Sequence, residues 1–135
     1  MQAIDYANLM RPAKAVSRLT FEDTVAQLKS AIQAEELWLI HEIDPQLLMR
    51  RGGYAMLATR QLLFFHPRYL VQLLEKDPSA LVEAPLKLVV MEMPDGTVTL
   101  QHPDVATAFA RYAGLEALGF EFQDLYLRLL TGIAD

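Results

Sequence analysis

Apolar residues recur along the chain at two spacings, and the changes between them mark out the elements. Phe21, Val25, Leu28 and Ile32 repeat at four, three and four residues, one face of a helix. Thr20 stands before them as an N-cap, and Glu22 and Asp23 favour the positive end of the helix dipole. A helix is therefore predicted to run to about Glu35, after a first strand somewhere within Ala13 to Leu19. Leu37 to Asp44 has the period of a strand, with Leu37, Leu39, His41 and Ile43 on one side and Trp38, Ile40, Glu42 and Asp44 on the other. Pro45 suits the first position of a short helix that stops at Gly52-Gly53. Gln61 to Phe65 is dense enough to be a buried strand, and His66-Pro67 then opens a helix that Asp77-Pro78 breaks.

The second half begins with the clearest strand, Leu86 to Met93, followed by a Pro94-Asp95-Gly96 turn and a returning strand from Thr97 to His102. A helix is expected from Asp104 to Tyr112, stopped at Gly114, and a last one from about Phe122 to Ile133, with Phe122, Leu125, Leu129 and Ile133 on one face. Hairpins mixed with helices predict an α+β class. The 135 residues fit one domain, with a C-terminal helical extension over about 115–135. An antiparallel-type sheet with helices on one face leaves a second face to explain. Lys87, Val89, Met91 and Met93 would lie there beside Thr97, Thr99 and Gln101. Such a face suits a dimer contact or a ligand floor, unless the C-terminal helix covers it.

Charge adds one asymmetry. The net charge is −5, which disfavours nucleic acid as a partner. Arg50 to Tyr69 nevertheless holds four arginines (Arg50, Arg51, Arg60, Arg68) and no acid; the other 8 basic residues face all 17 acids, a net of −9. That segment could attract an anion, or it could be a solvated run. The absence of cysteine removes disulfides, thiolate chemistry and Cys-ligated metals, and suits a cytoplasmic setting. Met1-Gln2-Ala3-Ile4-Asp5 lacks the basic start and apolar run of a signal peptide, and no apolar stretch approaches the ~20 residues of a membrane helix.

Five pieces, in order, resemble one family. They are Thr20-Phe21-Glu22-Asp23-Thr24-Val25, Ile43-Asp44, Phe64-Phe65-His66-Pro67, Ala84-Pro85-Leu86-Lys87 and Asp95-Gly96. From Thr20 to about Tyr112 the chain resembles the domain of unknown function 302. The resemblance implies a compact α+β domain similar to a single copy of the TATA-binding-protein-like fold, and a tendency to form homodimers. It implies no activity, because the family has none established. The family's Phe-Gly-Asn-Pro loop reads Phe64-Phe65-His66-Pro67 here, and Pro45 replaces the histidine that often follows its Ile-Asp pair.

Candidate chemistry is sparse. His66, Arg68 and Arg60 could hold an anion at a helix N-terminus, unless His66 simply caps that helix. His41, Glu42, Asp44, His66 and His102 are the conceivable metal ligands, but no pair has the spacing of a helical zinc motif; neither metal nor cofactor is expected. Glu42 and Asp44 share a strand face about 7 Å apart and could do acid–base work if burial separated their pKa values. Ser17, Ser30 and Ser79 lack a nucleophile-elbow context, and Trp38 reads as core or interface. Three functions remain open. The first is a non-enzymatic dimeric module binding a small anionic or amphipathic ligand, with Val89, Met91 and Met93 on the contact face. The second is a protein–protein adaptor using that face or the last helix. The third is an enzyme using Glu42, Asp44 or His66.

Overall fold

The computed structural model describes residues 13–134; Met1–Asp5, read above for a leader, lie outside them. The elements run β1 (Ala13–Val16), α1 (Phe21–Ala34), β2 (Trp38–Ile43), α2 (Pro45–Arg51), β3 (Thr59–Phe65), α3 (Pro67–Lys76), a 3-10 turn (Pro78–Glu83), β4 (Leu86–Glu92), β5 (Val98–His102), α4 (Val105–Ala110) and α5 (Glu116–Leu130). The five strands make one sheet in the order β1-β5-β4-β3-β2, antiparallel throughout. β2 to β5 form a meander, and β1 closes on the far side of β5. The first two strands are thus opposite edges, and α1 crosses the sheet between them.

Local chemistry places the boundaries. Thr20 Oγ1 accepts from the Asp23 amide at 3.1 Å and starts α1. Thr24, Leu28 and Ile32 are its buried positions, with Phe21 and Val25 half-covered beside them. Full burial of Leu28 and Ile32 contributes about 1.5–3 kcal/mol each. The helix stops at Ala34, and two residues on Glu36 has a φ of 58°, a left-handed conformation usually left to glycine. Asp44 and Pro45 open α2, with Asp44 Oδ1 accepting from the Leu47 amide. Asp95-Gly96 forms the β4–β5 turn, where Gly96 takes a φ of 87°.

Two expectations need correction. β2 does not alternate throughout: pairing with β3 slips between Leu39 and His41, so Ile40 is an extra residue. Leu39 stands opposite Phe64, but His41 stands opposite Leu63, which alternates with the buried Leu62 and Phe64. Leu37 and Leu39 therefore do not share a side with His41 and Ile43. The last helix starts at Glu116 rather than near Phe122 and ends at Leu130. Its extra turns pack on α4 because Gly119 has no Cβ; one built there would lie 2.9 Å from Phe109 Cβ and 3.1 Å from the Val105 carbonyl oxygen. A helix interior with glycine reads as a break, yet here the glycine is what allows the contact.

α5 carries Phe122, Leu125, Tyr126 and Leu129 into the main core. Phe122 meets Phe65, Tyr69 and Phe109, and Tyr126 meets Phe64 edge-on at 5.9 Å. The segment expected as an extension is therefore a wall of the core, on the same side of the sheet as α1.

Candidate functional site

Cross-strand pairing makes rows on the second face of the sheet. One row runs Ile43, Gln61, Val89, Gln101 and Lys14; the next runs Thr59, Met91, Thr99 and Val16. Leu63 and Lys87 pair on a third. Strand alternation turns these residues away from Leu62, Phe64, Leu88, Val90 and Leu100, which are fully buried beneath the helices. Val89, Met91 and Met93 are half-buried, and Thr59 and Thr99 are buried between their neighbours. α5 is not over this face, which answers whether the last helix covers it.

At the hairpin end of the same face lies a groove of about 460 Å³, lined by Lys14, Val16, Met93, Pro94, Asp95, Thr97 and Thr99. Its floor is apolar and its rim carries one charge of each sign. Asp95 is already engaged: Oδ1 accepts from the Thr97 amide at 3.0 Å and from its hydroxyl at 2.7 Å. Those bonds, with a smaller contribution from Lys14, hold its carboxyl below the ordinary value. Lys14 is exposed at the rim. The sequence reading missed Lys14 and Val16, because only the β1–β5 register brings them beside the hairpin.

The three residues expected to hold an anion do not form one site. Arg60 is at the start of β3 and His66 follows its end, about 17–20 Å away at strand spacing. Arg60 bridges Asp44 at 3.0 Å and Glu42 at 3.5 Å, and its guanidinium stands 5.6 Å from the Phe21 ring centroid. Lys29 also pairs with Glu42. Arg68 donates to the carbonyl oxygens of Glu36 (2.8 Å) and Glu35 (3.2 Å) and lies over the Tyr69 ring. It ties α3 to the end of α1. His66 Nδ1 accepts from the Arg68 amide at 3.0 Å, so His66 caps α3. Its ring lies 5.0 Å from that of Trp38, which is 59% exposed and belongs to no core.

Glu42 and Asp44 do share a side, but two cations neutralise them, and His66 is at the other end of β2. His41 is exposed, and His102 is buried with its ring stacked 3.9 Å from Tyr126. Among the described residues no three His, Asp or Glu side chains are grouped for a metal. Of the basic segment, Arg50 and Arg51 occupy the exposed last turn of α2, complementing its dipole.

The profile described as domain of unknown function DUF302 matches residues 13–129. The chain belongs to the DUF302 family. A crystal structure of an uncharacterized conserved DUF302 protein from Bacillus stearothermophilus has the same fold, with a TM-score of 0.78 at 15% identity; the match covers 86% of this chain and 93% of that one. No curated protein matches. The DUF302 match runs well into α5, in agreement with the place of that helix in the core. No helix among the described residues is long and apolar enough to cross a membrane.

Proposed function

We propose that this DUF302 chain is a non-enzymatic module that pairs with a second copy across the second face of its sheet and holds a small amphipathic anion in the groove beside the hairpin. The observation that carries the reading is the line of half-buried Val89, Met91 and Met93 along β4 and its end, turned by strand alternation away from the fully buried Leu88 and Val90. Apolar groups left at a surface gain when a partner removes them from water, at about 25 cal/mol per Å². The groove's apolar floor suits an alkyl chain, and Lys14 supplies the charge at its rim. The test is an NMR titration with decanoate. Saturable shifts at Val16, Met93 and Thr99, weakened in Lys14→Glu, are the expected result; shifts elsewhere, or none, contradict the ligand part of the reading.

One observation favours a protein–protein adaptor as the second reading. Phe120 and Leu127 lie seven residues apart on the outer side of α5, each 61% exposed. Truncating the chain before Phe120 is a poor test, since it removes the core residues Phe122, Leu125 and Tyr126. Phe120→Lys with Leu127→Lys leaves the core intact and should abolish partner capture if α5 is the contact.

A further inference from the structure

The geometry points to a second binding site, for a small organic cation with an apolar body, at the opposite side of the sheet from the hairpin groove. A cavity of about 210 Å³ opens where β4 begins and β5 has ended. Its walls are Pro85, Leu86 and Pro103 from the strand ends, Val105, Ala108 and Phe109 from α4, and Tyr126 from α5. At ~30 Å³ per water it has room for about seven waters, the scale of a single ring with a short substituent.

Charge chooses the ligand class. Glu83 and Lys87 are the charged residues of the lining. Lys87 alternates with the core residues Leu86 and Leu88, so its ammonium leaves on the far face and only its backbone reaches the cavity. Glu83 is half-buried at the end of the 3-10 turn, and its Oε1 accepts from the Tyr112 hydroxyl at 3.4 Å. Its other oxygen is an acceptor for a cation. The Tyr126 hydroxyl is not, because both of its hydrogen bonds go to Lys87. The site therefore offers a carboxylate at the mouth and apolar walls behind it, with Pro85, Pro103 and Ala108 accessible. A neutral ligand of the same shape gains the walls alone.

The probe is benzylammonium, followed by amide shifts in two-dimensional NMR on the full chain, with benzyl alcohol as the neutral match. Saturable shifts at Glu83, Lys87, Ala108 and Phe109 are expected at millimolar concentration. Benzyl alcohol should bind about tenfold more weakly, and Glu83→Gln should weaken benzylammonium by about the same factor, the loss of one charge-assisted hydrogen bond. Ala108→Leu, which fills the cavity while leaving Glu83 in place, should remove the shifts. The inference is overturned if no saturable shifts occur, if the alcohol binds as well as the amine, or if Glu83→Gln changes nothing. The outcome is independent of the hairpin groove, which shares no residue with this cavity.

Discussion

The Tyr126 hydroxyl accepts from the amide of Lys87 and donates to its carbonyl oxygen, each at 3.0 Å. The β4–β5 register explains why. Val89 pairs with Gln101, so the next place facing Lys87 falls to Pro103, which has no N–H to give. One hydroxyl from α5 closes both ends of the unfinished ladder. Tyr126→Phe keeps the ring and leaves a partly buried donor and acceptor unpaired, a cost of about 1–3 kcal/mol. Thermal unfolding should show the loss; a variant as stable as the parent contradicts the role.

Gly119 is predicted to reject alanine. Helix propensity alone makes Gly→Ala favourable by about 1 kcal/mol in a helix interior. Here the new methyl would meet Phe109 Cβ at 2.9 Å and a carbonyl oxygen at 3.1 Å, so α4 and α5 must separate. Overpacking of this kind costs about 1–3 kcal/mol and should win. Denaturant unfolding of Gly119→Ala decides the sign.

Arg68→Gln removes the donors that hold the carbonyls of Glu35 and Glu36. These bonds are exposed, so the expected loss is about 1 kcal/mol. Glu36→Gly acts in the other direction at the same junction. Glycine takes the φ of 58° without the penalty of about 1–2 kcal/mol that an L side chain bears, against an unfolded-state entropy cost of about half that. A lower melting temperature for the first and a higher one for the second are expected.

His102 makes stability depend on pH. Burial lowers its pKa below the ordinary 6.5, against smaller opposing effects of the Pro103 carbonyl and Asp104. The unfolded chain therefore binds this proton more readily than the folded one. The stabilisation is complete above the unfolded value and is lost as the pH falls from about 6.5 through the folded value. Asp104 and Asp95 also have lowered values, but they act below their ordinary 3.8. Melting temperatures at about pH 7.5 and pH 5 should differ more for the parent than for His102→Phe, which keeps a ring against Tyr126. Equal differences contradict the assignment.

Much of the fold could be read from apolar spacing and caps: Thr20 and the face of α1, the Asp95-Gly96 turn, His66-Pro67 at α3. What escaped the sequence depended on distant register. The Ile40 bulge follows from how β2 must pair with β3, and no local pattern marks it. The start of α5 was hidden by Gly119, whose meaning lies in its contact with α4. The candidate site was half legible. Val89, Met91 and Met93 fall on the second sheet face by alternation alone, whereas Lys14 and Val16 join them only through β1 pairing with β5. Arg60 and Arg68 looked available as charges because the sequence does not show that Asp44, Glu42 and two helix-end carbonyls meet them. Pro103 carried a usable signal for Tyr126, since a proline at a strand end leaves its neighbour's ladder groups to be satisfied elsewhere.

The central claim is that the sheet face bearing Val89 and Met91 is covered by a second copy. Sedimentation velocity of the parent and of Val89→Glu, over a wide concentration range, tests it most directly. The account predicts a dimer for the parent and a monomer with an unchanged circular dichroism spectrum for the variant. A parent that stays monomeric at every concentration, or a Val89→Glu protein that still sediments as a dimer, contradicts it.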